Sequence, residues 1–350
     1  MFCLKALALF SGGLDSLLAI KLIQETGVEV EAVYFLQPFL QEDQEEKLVN
    51  QLKELIGQLH VKLHIIRLDR RYLHMLEAPK HGYGKAVNPC LDCHIFFLQE
   101  AAGLMKEIGA SFLVTGEVVG QRPKSQHQVA FPVIDQETGL AGLIVRPLSA
   151  GLLPPTIPEE KGWISLRHCP SIQGRQRKIQ LELAKKYGLA YQAPAGGCLL
   201  TNVEYGRKVS DLLKHEGKLD SDSLRLLAVG RHFRLSPEFK VIIGRDQGEN
   251  SRILRYFYKN RRDPRRFLLK VDEARGPRAY RVPGPLAIGV GTPSPEEINL
   301  FSLLSTRYSD LAAGKEAVVR ILQGGAKYHL RKKRVTAIKD PALPQKYRIT

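Results

Sequence analysis

At 350 residues, 44% of them hydrophobic, the chain has room for two or three domains and enough apolar surface to bury a core, which excludes a disordered protein. No apolar run approaches the roughly 20 residues of a membrane-spanning helix, and the apolar N-terminus lacks the basic flank and small-residue cleavage site of a secretory signal. A cytoplasmic location and no membrane partner are therefore expected. The formal net charge is +16, and residues 251–350 carry 22 Lys plus Arg against 8 Asp plus Glu, leaving the front nearly neutral. That asymmetry suggests a catalytic front with a polyanion-binding rear, and no amphipathic anchor points the rear toward lipid.

Phe2 to Phe10 is an almost continuous apolar run stopped by paired glycines, the pattern of a buried parallel strand, with Cys3 as core packing. Ser11-Gly12-Gly13-Leu14-Asp15-Ser16 then opens a short helix with Leu17, Leu18, Ile20, Leu22 and Ile23 inward. A glycine loop between a strand and a helix N-terminus brings N–H groups close to a ligand and favours an anion. This loop resembles the PP-loop of the N-type ATP pyrophosphatases, which cleave ATP between its α- and β-phosphates and adenylate a substrate oxygen. The resemblance implies an ATP and Mg²⁺ site: Ser11, Gly12, Gly13 and Ser16 grip pyrophosphate, while Asp15 holds Mg²⁺ or orients the loop.

Strands are expected at 28–35 and 61–68, with an amphipathic helix over 41–59 between them. Strands alternating with helices of this size make βαβ units, hence an α/β fold with a doubly wound parallel sheet that takes its ligand beyond the carboxyl ends of the strands. The PP-loop resemblance places Tyr34 or Phe35 against adenine. Residues 111–117 form a further strand ending in Thr115-Gly116, a turn that the family uses beside the nucleotide. Arg122 and Lys124 follow in a polar loop, and Arg175 and Lys178 later, as candidate phosphate or RNA contacts.

Cys90-Leu91-Asp92-Cys93 suggests a metal site or a redox pair more than a disulfide, and a helix is read from His94 to Ile108. At a helix N-terminus these thiols should have lowered pKa values. Cys169 reads as an ordinary loop thiol. Cys198 follows a glycine-rich approach from Ala193 that would bring it close to a partner. Cys90, Cys93 and Cys198 supply three thiolates, a number that fits a [4Fe–4S] cluster with one open iron; a persulfide-passing thiol pair is the competing chemistry.

These motifs together resemble the tRNA thiouridine synthetases, a PP-loop branch that replaces a uridine carbonyl oxygen with sulfur. In the 2-thiouridine-forming enzymes the corresponding segment reads Asn-Pro-Asp-x-x-Cys-Asn. Asn88, Pro89 and Cys93 match it, while Cys90 replaces the Asp and His94 the second Asn. A second catalytic cysteine follows farther along in that family, where this chain has Cys198. The resemblance implies Asp15, Cys93 and Cys198 in catalysis, tRNA as substrate, and sulfide or a persulfide carrier such as a cysteine desulfurase as sulfur donor. The cysteine at position 90 favours the cluster-bearing type. Other PP-loop ligases, amidating ones included, and a non-catalytic RNA-binding protein are the alternatives.

The resemblance spans residues 1–205, the expected catalytic domain. Residues 206–350 are read as a smaller basic α+β region. Leu226–Leu235 and Phe239–Asp246 read as strands before a helix through Tyr258, and this stretch resembles the RNA-binding module at the C-terminus of ribosome-quality-control proteins. Arg245, Arg252, Arg261, Arg262, Arg265 and Arg266 are dense enough to track a phosphate backbone, with Tyr256 and Tyr258 for stacking; Arg331, Lys332, Lys333 and Arg334 form a second cluster. The modified position, 2-thio versus 4-thio product and any homodimer stay open.

Overall fold

A computed structural model describes residues 4–192, 197–273 and 284–349. The chain divides into two compact units, Met1–Asn202 and Val203–Thr350. Cys3 and residues 193–196 lie outside the described residues.

In the front unit the elements are β1 (Lys5–Leu9), α1 (Leu14–Gln24), β2 (Glu29–Leu36), α2 (Glu42–Gly57), β3 (Lys62–Arg67), α3 (Arg70–Glu77), α4 (Cys90–Glu107), β4 (Phe112–Val114), α5 (Ala130–Thr138), β5 (Ile144–Val145), α6 (Ile157–Glu160) and α7 (Lys178–Lys186). The five strands are all parallel, in the order β3-β2-β1-β4-β5. This is the expected α/β sheet. Ala6, Leu7 and Ala8 of β1 are at most 1% exposed, so both faces of the central strand are covered, which is why its sequence lacks polar alternation. Leu17, Leu18, Ile20 and Ile23 of α1 join the core on one face.

A buried carboxylate interrupts the apolar run of β2. Glu31 of β2, 5% exposed, lies between Lys5 Nζ (2.7 Å), His64 Nε2 (2.5 Å) and Lys62 Nζ (3.3 Å) on the flanking strands. Burial opposes its ionisation, but these partners overcome it and hold the carboxyl at about 2.

The rear unit comprises α8 (Val203–Glu216), α9 (Ser221–Leu227), β6 (Arg231–Ser236), β7 (Phe239–Ile243), α10 (Gln247–Lys259), β8 (Arg266–Glu273), β9 (Leu286–Gly291), α11 (Pro295–Arg307), β10 (Glu316–Gln323), β11 (His329–Thr336) and α12 (Ala342–Tyr347). Its six strands are antiparallel throughout, ordered β11-β10-β8-β9-β7-β6. One face carries a core of Phe233, Phe239, Leu269 and Val319 with Phe301 and Leu304 of α11. The other face packs Ile242, Leu268 and Ile288 under Ile253 and Phe257 of α10.

The strand expected from Leu226 begins only at Arg231. Asp220 caps α9 by accepting from Ser223 N–H (2.8 Å), so Leu224, Leu226 and Leu227 are spent as a helix. The turn comes at Gly230, at φ +73°, where a Cβ would meet Ile243 O at 2.6 Å.

Glu31 makes the front unit acid-sensitive. Its folded pKa lies below the unfolded value, so its stabilisation is present above the ordinary carboxylate range and is lost as pH falls toward 2. Glu31→Gln should lower the melting temperature by roughly 5 °C at neutral pH and by less than half as much near pH 3. Thermal unfolding followed by circular dichroism at the two pH values tests this, and equal losses would contradict it.

Candidate active site

The strand order reverses between β1 and β4, so the ligand crevice of this sheet opens where those two strands end. β1 runs into Ser11–Ser16. Gly12 takes φ +78°, and a Cβ there would also meet the Leu52 side chain at 2.8 Å. Gly13 caps α1 in an extended conformation with no side-chain cap, which leaves the first N–H groups of α1 for an anion. The two serines close the loop on itself. Ser16 Oγ donates to Gly13 O (2.8 Å), Gly13 N–H donates to Ser11 Oγ (3.4 Å), and the hydroxyls lie 3.3 Å apart.

β4 runs into Thr115-Gly116-Glu117. A Cβ on Gly116 would come within 2.6 Å of the Asp15 carbonyl carbon and the Ser16 nitrogen, so glycine is what lets the two strand ends touch. The Thr115 hydroxyl is buried and donates to Glu117 Oε2 (3.0 Å). Asp15 accepts from Gln121 Nε2 (3.1 Å), and Arg177 Nη2 stands 3.9 Å from its other oxygen. Arg175 and Lys178 are the expected phosphate or RNA contacts of this basic run. Both are exposed, and Arg177 turns inward instead. A run of cations carries no signal for which member will do so.

The Phe35 ring is buried and stacks on Phe97 of α4 (centroids 4.9 Å, 10°), which stacks in turn on Tyr72 (5.9 Å, 15°). Phe35, one of the rings expected against adenine, packs between the sheet and α4. Tyr34 packs against the core that α1 joins.

α4 begins at Cys90 rather than His94, which puts Cys90 and Cys93 in its first turn. Asp92 between them is buried and accepts from the backbone N–H of His81 (3.2 Å), fixing the turn before the helix. Asn88 Nδ2 donates to Cys90 Sγ (3.1 Å), and Tyr72 Oη shares a hydrogen bond with Cys93 Sγ (3.2 Å). Cys198, remote in sequence, lies close enough to couple electrostatically to both thiols, with Arg122 also within reach.

The expected lowering of the thiol pKa does not hold for Cys93. Burial pushes Cys93 up to about 12, with Cys198 and Cys90 adding to the rise against the Tyr72 hydrogen bond. Burial likewise raises Cys198. Desolvation of a thiolate outweighs the helix end.

Among the described residues, no three His, Cys, Asp or Glu side chains gather as ligands of a single ion. A cubane with one open iron takes three thiolates spread over three irons, so Cys90, Cys93 and Cys198 offer donors of the chemistry it needs.

A buried network missed at the sequence level ties the nucleotide turn to the cysteine helix. Glu117, 3% exposed, lies 3.0 Å from His94 Nε2 and 2.9 Å from Arg146 Nε. Burial opposes its charge, yet His94 and Arg146 hold it at about 2. Arg146 also bonds Asp135 (2.9 Å) and lies over the Phe131 ring (4.3 Å).

In the rear unit several of the expected RNA contacts are already engaged. Arg245 bonds Glu249 (2.5 Å), Arg265 bonds Asp263 (3.1 Å), and half-buried Arg266 lies over Tyr256 (5.7 Å). Arg252 is half-buried. Arg261, Arg262, Arg331, Lys332 and Arg334 are exposed and Lys333 is half-buried.

Residues 3–151 match the family model described as thiamine biosynthesis protein (ThiI), and residues 230–348 match the NFACT protein RNA binding domain. A probable tRNA sulfurtransferase of Thermoanaerobacter sp. (strain X514) is 32% identical over 120 residues, covering 33% of this chain and 30% of its own. The tRNA-specific 2-thiouridylase MnmA of Campylobacter curvus is 28% identical over 120 residues, covering 33% and 35%. A solved 4-thiouridine synthetase–RNA complex with bound ATP aligns at a TM-score of 0.34 and 24% identity, over 53% of this chain and 50% of that one. The chain thus spans about a third of the length of the curated relatives it matches. The front of the chain, residues 3–151, is thus similar to the PP-loop domain of the ThiI family, and residues 230–348 to the NFACT RNA-binding domain.

Proposed function

We propose that the chain is an ATP-dependent tRNA sulfurtransferase that adenylates a uridine carbonyl oxygen and replaces it with sulfur. One observation carries this reading. A PP-loop at the switch point of the sheet and three mutually coupled thiols occur in one unit of a chain that also holds an RNA-binding domain.

Uridine oxygen is a poor leaving group, and transfer of AMP makes it a phosphate ester that departs readily. The N–H groups at the start of α1 stabilise the pyrophosphate released from ATP, and Asp15, set by Gln121 and Arg177, is placed to hold Mg²⁺. The target base must be unpaired or extruded to reach this crevice. Cys90, Cys93 and Cys198 would hold the [4Fe–4S] cluster, which supplies an iron without a protein ligand for sulfide. Sulfide or a persulfide carrier is the sulfur donor.

Two measurements test the reading. Gly116→Ala should weaken ATP binding about tenfold, because a Cβ must push the PP-loop away; calorimetry reads this, and an unchanged affinity would contradict the geometry. Anaerobically purified protein given unmodified tRNA, ATP–Mg²⁺ and sulfide should form thiouridine detectable by mass spectrometry. Each of Cys90→Ala, Cys93→Ala and Cys198→Ala should lose both bound iron and at least about 100-fold of this activity while keeping ATP affinity. A wild-type protein that stays iron-free after reconstitution, yet thiolates tRNA when a persulfide carrier replaces sulfide as the donor, would replace the cluster with persulfide transfer.

A further inference from the structure

Two basic stretches far apart in sequence, 245–266 and 326–334, meet in the rear unit. The turn between β10 and β11 is pinned to the loop between α10 and β8. Gly325 N–H donates to Arg261 O (2.8 Å), Gly324 N–H to Arg266 O (2.9 Å), and Gln323 Nε2 to Pro264 O (2.9 Å). Glycine is required for this approach, since a Cβ on Gly324 would come within 2.5 Å of Asp263 O. Tyr328 in the turn stacks on Phe257 (centroids 6.5 Å, 29°), and Tyr258 lies edge-on to the same ring (5.7 Å). Both tyrosines are nearly half exposed, at 46% and 45%.

β11 is an edge strand, and its side chains alternate between the faces of the sheet. Lys332 and Arg334 share the face of Leu330 and Leu322, which α10 covers farther along the sheet; Arg331 and Lys333 belong to the opposite face. The cluster of four that the sequence presents as one run is split in two.

Register also makes Lys332, Arg320 and Lys270 direct neighbours across β11, β10 and β8, a row of three cations about 4.8 Å apart per strand. Like charges directly opposite one another cost stability. Asp272 offsets two of them, bound to Arg320 and 3.6 Å from Lys270. Among the described residues, Lys332 and Arg334 have no carboxylate partner.

We propose that this open half-face is a platform for single-stranded RNA. Lys270, Arg320, Lys332 and Arg334 follow the backbone phosphates, and Tyr258 and Tyr328 stack unpaired bases. Paired RNA offers no free base faces to exposed rings, which is why the aromatics select an unpaired strand. The proposal rests on the RNA-binding role of the rear unit and not on the sulfur chemistry.

The test uses the full chain and fluorescence anisotropy with two probes, a labelled oligouridine of about 20 nucleotides and a blunt RNA duplex of similar length. Lys332→Ala with Arg334→Ala should weaken oligouridine binding about tenfold or more and flatten the slope of log K against log salt by about 1.4, two phosphate contacts' worth. Arg331→Ala with Lys333→Ala, on the same strand but the other face, should change binding by less than about twofold. Tyr258→Ala with Tyr328→Ala should weaken oligouridine about tenfold and leave the duplex unchanged. Melting temperatures of the Lys332/Arg334 pair should not fall, because the change removes repulsion. Equal losses from the two faces, or tyrosine variants that affect both probes alike, would overturn the platform alone. A wild-type chain that binds neither probe would overturn the RNA-binding reading and the platform with it.

Discussion

The front unit depends on one close approach. Gly116, just past β4, lies against the backbone of Asp15 and Ser16 in the first turn of α1, which follows β1, with no room for a Cβ. Parallel pairing of these two central strands brings their ends together, and the reversal of strand order at this point leaves no crossover helix to fill the crevice. An anion-binding helix terminus and a polar turn therefore face a common space. The buried charges that follow serve this arrangement: Glu117 reaches from the same turn to His94, and His94 is adjacent to Cys93. The glycine loop after β1 and the first turn of α4 are thus joined through one packed, partly charged network.

The rear unit solves a different problem, that of concentrating positive charge on a stable sheet. It pairs several arginines with carboxylates of its own, Arg245 with Glu249, Arg265 with Asp263 and Arg234 with Asp211. These pairs order the scaffold, and exposed cations among the described residues include Lys332 and Arg334 on the edge strand and Arg261 and Arg262 in the loop after α10. Antiparallel alternation sorts them by face, so the charge available to a ligand is set by register and not by local density.

Much of this was legible in the sequence where a single local rule dominates. The unbroken apolar run of β1, the paired glycines and the helix behind them specify the PP-loop, because a strand buried on both faces has no polar alternation. The expectation that Cys90, Cys93 and Cys198 act together rests on their number and the family resemblance. Legibility failed where long-range packing decides. Phe35 is a stacking partner of Phe97, and no local pattern reports an aromatic neighbour on another element. The raised pKa of Cys93 follows from burial, which opposes the local helix-end effect. Leu226 and Leu227 belong to a helix because of a cap six residues before them, and the inward turn of Arg177 belongs to the fold around it.

The central claim is that the PP-loop activates a uridine oxygen, and isotope transfer tests it most directly. A tRNA transcript with ¹⁸O in its uridine carbonyls would be thiolated with ATP, Mg²⁺ and sulfide, and the AMP released examined by mass spectrometry. Adenylation of the base oxygen predicts one ¹⁸O in the AMP for each thiouridine formed. Thiouridine formed with unlabelled AMP would contradict the account.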